Sequence, residues 1–373
     1  MNVNTPVSDF DAAVRLLSGG TNVAIYNDLG LPSIYVRRDK GLISNVISGG
    51  PETVHYAFKV NGVEVPAFYM GKYLATVYKG RALSLPLQAP TASVVESSNR
   101  GDATSTAVTF DNAKIWCEAN GAGFHLPTIA EYAWIALLSR KNGTMPHGNT
   151  NYGADHACQY EKGVMAREAN GKAETTLSGS GPAKWNDNWK PDGICDLCGN
   201  ANEWQGGYRT VNGELQIFAD NNAAMQYDQG KNSTLWRAIL QDGSLVDPGT
   251  DGTLKWDYVD GTSSNGQGAY QFRLNTKIVN SVDNDSAYGS ALFNALTAPP
   301  GVSIPDLLKA LAIMPSDNGY HGADYVHMKN RGERLVTRGG HYATGNIGGV
   351  FYVNSFSTRS DFGGFRPAFI PGI

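Results

Sequence analysis

Apolar and polar positions alternate over short runs, and turn-forming residues recur about every eight to twelve positions, the rhythm of short strands joined by tight loops. Residues 22–37 read as two strands around a turn at Asn27-Asp28-Leu29-Gly30. Residues 54–79 continue in strands, with Asn61-Gly62 as a hairpin turn. Residues 1–60 together read as a small β-rich N-terminal module, followed by one larger domain over 61–373. Helices are few. Residues 110–120 place Ala113, Ile115, Trp116 and Cys117 on an apolar side and end at Gly121. A second helix begins at Thr128, where Thr128 and Glu131 have the spacing of a capping box, each side chain satisfying a free amide at the helix start. A third, short helix covers 305–311, with Pro305 in a permitted first-turn position. Between about 140 and 300 the pattern dissolves into Gly, Asn, Asp and Ser, punctuated by Trp185, Trp189, Trp204, Trp236 and Trp256. Disordered linkers rarely carry so many large aromatics, so this stretch reads as ordered loop pinned by buried rings.

Composition narrows the functional classes. The chain has 373 residues, a formal net charge of -4, 41% hydrophobic and only 17% charged residues, which gives it enough apolar material for a sizeable core. Mild acidity disfavours a nucleic-acid surface, which needs clustered Lys and Arg against phosphates. No run approaches the roughly 18 apolar residues that span a bilayer. The first twenty residues lack a basic start followed by an apolar run, so we expect no secretory leader. Four cysteines are too few for a disulfide scaffold of this length. Cys195 and Cys198 form a CxxC, but the chain has no second such pair, so ordinary half-buried thiols outweigh a redox or zinc role; Cys117 and Cys158 stand isolated. The histidines show no HExxH or HxH spacing, and there is neither a GxSxG elbow nor a GxxxxGK phosphate loop.

The string from Gly193 to Trp204, GICDLCGNANEW, is the most informative. It resembles the GLYDMxGNVWEW signature of the formylglycine-generating-enzyme (sulfatase-modifying factor) family, a branch of the C-type lectin fold. Three further blocks follow the family's order: Tyr69-Met70-Gly71-Lys72-Tyr73, the stretch from Trp116 to Trp134 with Leu126-Pro127-Thr128 and Glu131, and the closing Arg338-Gly339-Gly340 with Gly364-Phe365-Arg366-Pro367. The resemblance implies an α+β C-type lectin fold with long ordered loops. By the same likeness Glu203, near Asn200, is either a ligand of a structural calcium or the buried partner of an arginine, and the metal stays unknown. Arg338 and Arg366 have structural roles, each able to make several hydrogen bonds. The enzymes of this family oxidise a thiol with two cysteines between the closing blocks, where this chain has none. The expectation is therefore a protein without catalytic residues and without a required cofactor.

The segment between the closing blocks instead resembles the variable region of diversity-generating-retroelement target proteins, which display hypervariable surfaces on this fold. Residues 341–363 contain no Lys, Glu, Gln, Met or Trp, the types that adenine randomisation of Asn codons leaves out, where about three would occur by chance. Gly349-Val350-Phe351 and Arg359-Ser360 match the framework of those proteins. Leu177 to Pro182, Gly213 to Ile217, Ile304 to Leu311 and Gly20 to Tyr26 extend the likeness to variable proteins of bacterial viruses. The resemblance implies that Gly339, Gly340, Val350, Phe351, Val353, Arg359, Gly364, Phe365 and Arg366 hold the backbone. Between them His341, Tyr342, Ala343, Thr344, Asn346, Ile347, Tyr352, Asn354, Phe356, Ser357, Ser360, Asp361 and Phe362 would project toward a ligand. Strand alternation then puts Tyr352, Asn354 and Phe356 on one exposed face, with Tyr342, Tyr352, Phe356 and Phe362 as aromatic anchors. The implied partner is a host cell-surface protein or glycan, and the implied location a viral tail tip, or the cytoplasm if the protein is not viral. A homotrimer would add avidity, although no heptad enforces one. The alternatives are a structural virion protein without a ligand and an oxidase of the formylglycine-generating type.

Overall fold

A computed structural model describes residues 8–92, 108–259, 271–281, 288–355 and 363–373. The fold is mixed α+β with sheets predominating, and four α-helices occur among the described residues: α1 (Asp9–Leu17), α2 (Phe110–Glu118), α3 (Ile129–Lys141) and α4 (Asp306–Ala310). No helix among them is long and apolar enough to cross a membrane.

The capping box that starts α3 forms as its spacing predicts. The Thr128 hydroxyl accepts from the Glu131 amide at 3.1 Å, and the Glu131 carboxylate accepts from the Thr128 amide at 3.0 Å. Ten of the thirteen α3 residues are buried, Glu131 included, so this helix is apolar nearly all round and runs through the core. The buried Glu131 carboxylate is tied to His125 Nε2 at 2.9 Å and to Asn221 Nδ2 at 3.0 Å. Asn221 in turn donates to the Ala57 carbonyl at 3.1 Å, joining three distant segments behind one helix start.

Two sheets flank this core. In the smaller, Asn22–Tyr26, Pro32–Asp39, Ala67–Gly71, Ala368–Phe369 and Phe124–His125 lie side by side in that order, all antiparallel. The larger has ten strands among the described residues and centres on Glu203–Val211, which pairs with Glu214–Ile217 on one side and Glu333–Arg338 on the other. Beyond Glu333–Arg338 come Val353–Ser355, then Tyr325–Met328, then Gly289–Leu292. Val353–Ser355 is antiparallel to the first of these neighbours and parallel to the second.

Three expectations change. The N-terminal residues are not set apart as a module: Pro32–Asp39 pairs directly with Ala67–Gly71, and the same sheet takes in the C-terminal Ala368–Phe369. The strand pattern read from residues 22–37 is right, but the sheet continues past residue 60 into Ala67–Gly71 and only then reaches Ala368–Phe369. Helix α1 is absent from the sequence reading, although Ser8 caps it and Asp9 and Asp11 occupy its first turn; Leu16 and Leu17 are exposed and only Asp11 and Val14 are buried. Its Asp11 carboxylate accepts from the Ala24 amide at 2.7 Å, which docks the helix on the first strand. Trp185, Trp204, Trp236 and Trp256 are buried pins as expected, whereas Trp189 is 37% exposed.

Candidate ligand-binding site

The segment after Arg338 leaves its strand through two glycines in the left-handed region, Gly339 at φ 89° and Gly340 at φ 80°. A Cβ at Gly339 would meet the Leu197 carbonyl oxygen at 2.7 Å, so both the conformation and the close approach require glycine there. The chain then dips inward at Tyr342, which is 1% exposed: its amide donates to the Asn200 carbonyl at 3.3 Å, its carbonyl accepts from the Tyr152 amide at 2.7 Å, and its ring meets Tyr152 edge-on. Between this anchor and the next lies a short loop. Thr344 closes it by accepting from the His341 amide at 2.6 Å, and Gly345 donates to the Thr150 carbonyl at 2.9 Å. Asn346 is exposed, while His341, Ala343, Thr344 and Ile347 are half-buried. The second anchor is Phe351, packed on Phe293 at 5.0 Å and His321 at 5.1 Å, with its amide donating to Asp324 at 2.7 Å.

Beside this loop opens a cleft of about 360 Å³. Asn346 and residues 348–350 form one wall; Met145, His147, Asp155 and His156 form another; Trp189, Tyr320 and Asp324 complete it. Two of these aromatics face solvent, Tyr320 at 67% and Trp189 at 37% exposed. Trp189 holds φ 56°, a conformation costly for a bulky residue, and its indole donates to the Met145 carbonyl at 3.1 Å. Burial pushes the Asp324 carboxyl up to about 7, against the opposing pull of the Phe351 and Tyr352 amides and of Arg338. Burial likewise drives His341 and His327 down to about 4, so both imidazoles are neutral near pH 7.

The expected ligand-facing residues therefore divide. His341, Ala343, Thr344, Asn346 and Ile347 sit together on the loop at the cleft, and Asn346 lines it. Tyr342, Tyr352 and Asn354 do not share an exposed face; they are 1%, 4% and 1% exposed. The reason is the interior place of Val353–Ser355. Asn354 lies between Thr337 and His327 on the two neighbouring strands, and Tyr352 packs edge-on against the His327 ring at 5.5 Å. The expected alternation brings no exposure here, because both faces of this strand are covered. Phe356, Ser357, Ser360, Asp361 and Phe362 lie outside the described residues.

The framework behind the loop matches its expected structural role. Glu203 and Arg366 form a buried two-pronged pair, Nε to Oε2 at 2.5 Å and Nη2 to Oε1 at 2.8 Å. Burial acts against the Arg366 charge, and the facing carboxylate more than offsets it, so the guanidinium is held above its usual range. With both Glu203 oxygens facing this cation, and the Asn200 oxygen accepting from the Thr176 amide at 2.8 Å, these side chains do not fit a calcium site. Cys195 and Cys198 are buried free thiols, and burial raises both far above the reactive range. Sequence reasoning missed Tyr320 and the exposed placement of Trp189, since neither carries a motif. This chain matches no protein-family model and no curated protein.

Proposed function

We propose that this protein binds a ligand and does not transform it, using a C-type-lectin-like framework that presents residues 341–350 beside the cleft. In this reading the chain is a retroelement-diversified receptor-binding protein of a bacterial virus, and the ligand is a protein or glycan on the host surface. One observation carries it. The loop from Ala343 to Ile347 is held between two buried anchors, Tyr342 and Phe351, while its own side chains remain at least partly open next to Trp189 and Tyr320. Fixing a loop at both ends while leaving its side chains open separates folding from recognition, so side chains between the anchors can be exchanged at little cost to the core. The cleft has the volume usual for a ligand site, and exposed rigid aromatics bring contact area at low entropic cost. The burial of Tyr342 and Tyr352 moves the aromatic anchors of recognition from the strand to the cleft rim.

The test uses labelled full-length protein on intact host cells and on a glycan array. Exchanging residues 343–347 for another sequence changes the cells or glycans recognised, and Trp189→Ala weakens binding by about 2 kcal/mol, the loss typical of a central aromatic. Unchanged binding in both variants would put recognition elsewhere on the molecule, and no binding by the parent protein would point to a structural virion protein instead.

A further inference from the structure

At one end of the cleft, three side chains with metal-binding atoms converge although the sequence shows no ligand motif. His147, Cys158 and Glu161 bring a ring nitrogen, Sγ and a carboxylate oxygen within 4.8 Å of one another. His147 Nδ1 lies 2.9 Å from Glu161 Oε2. Cys158, isolated in the sequence, is thus not isolated in space.

The backbone builds this cluster in advance. Asp155, itself buried, accepts from the Ala157 amide at 2.9 Å and the Cys158 amide at 2.8 Å through one oxygen. Through the other it accepts from the Gly148 amide at 3.3 Å, next to His147. The Glu161 amide donates to the Cys158 carbonyl at 2.8 Å, closing the turn that carries both residues, and the His147 amide donates to the Lys184 carbonyl at 3.0 Å. One buried carboxylate therefore fixes both halves of the constellation. The Glu161 side chain is only 5% exposed, and its ion-pair partner among the described residues is His147.

We propose that His147, Cys158 and Glu161 bind a zinc ion at the edge of the cleft. Thiolate and imidazole suit this borderline ion and are poor ligands for calcium or magnesium. On binding, the Cys158 thiol releases its proton to solvent, the imidazole proton moves to Nε2, and the freed Nδ1 lone pair joins one Glu161 oxygen and the thiolate around the metal. Three protein ligands leave the fourth tetrahedral position for water or a ligand group. Because His147 also lines the cleft, the ion would lie at its border.

The experiment takes the full-length, reduced and chelator-stripped protein, titrates it with cobalt(II), and then displaces the cobalt with zinc. One metal per chain and a thiolate-to-cobalt charge-transfer band are expected. Cys158→Ser abolishes the band, and Glu161→Gln keeps it while weakening zinc binding by more than about tenfold. Unchanged far-UV circular dichroism shows that the variants remain folded. Absence of stoichiometric binding, or a band that survives Cys158→Ser, overturns the site.

Discussion

Two buried arginines, one in each closing block of the chain, live in opposite surroundings. Arg366 spans the molecule: besides its pair with Glu203 on the larger sheet, it donates to the Gly71 carbonyl at 3.0 Å on the smaller sheet and to the Cys195 carbonyl at 2.9 Å. Arg338, equally buried, faces no carboxylate at salt-bridge distance among the described residues. It donates to the Ala312 carbonyl at 2.8 Å, lies over the Tyr132 ring, and its Nε and Nη1 have no hydrogen-bond partner among the described residues. Burial lowers it to about 10. The first region locks sheet to sheet, whereas the second, at the root of the loop beside the cleft, carries a charge that its neighbours only partly compensate.

The contrast can be broken most forcefully at Glu203. Glu203→Ala leaves Arg366 buried and unpaired, and should cost about 3–5 kcal/mol in urea unfolding; a loss below about 1 kcal/mol would mean that the sheets are held by packing alone. An effect of at most comparable size, spread over pH, is expected at Asp324. Its carboxyl is raised from an ordinary value of 3.8 to about 7, so between those values the folded state holds a proton that the unfolded chain has released. Its contribution is therefore most favourable at low pH and declines as pH rises toward 7, by roughly 1.4 kcal/mol for each pH unit at most. His55, His327 and His341, each lowered to about 4 by burial, act in the opposite sense, losing stability as pH falls below 6.5. Asp324→Asn removes only the first contribution. The variant should match the parent near pH 4 and exceed it near pH 7, as followed by melting temperature across that range; equal curves would place the Asp324 carboxyl near its ordinary value. The smallest effect belongs to Arg338→Met. Replacing a poorly satisfied buried charge with an apolar chain of similar length should shift stability by no more than about 1 kcal/mol in either direction. A loss as large as that of Glu203→Ala would erase the distinction between the two sites.

What could be read in advance follows the range of the interactions. The α3 capping box joins residues three apart and is visible as spacing, as is the Asn61-Gly62 turn between Lys59–Val60 and Val63–Glu64. Glu203 and Arg366 both stand out in the sequence, yet their pairing across 163 positions is only one of two readings until the fold joins them. Tyr352 and Asn354 are misplaced by local pattern because their burial depends on a parallel neighbour, Tyr325–Met328, that no local pattern announces. Asn346 is legible as part of a segment with a distinctive residue usage. Trp189, Tyr320 and the His147, Cys158, Glu161 cluster are not, since loops place them together without periodicity.

The position of Ala368–Phe369 carries a consequence for timing. This short strand sits between Ala67–Gly71 and Phe124–His125, and no pairing joins those two strands directly. During synthesis both emerge long before the piece that bridges them, so the smaller sheet stays open until residues 368–369 have left the ribosome. Contacts of such wide sequence separation form slowly, because a long loop must close before they yield any stabilisation. Completion of the scaffold is thus coupled to completion of the neighbouring loop, and a nascent chain reaches its finished sheet only after residues 341–350 have already been made.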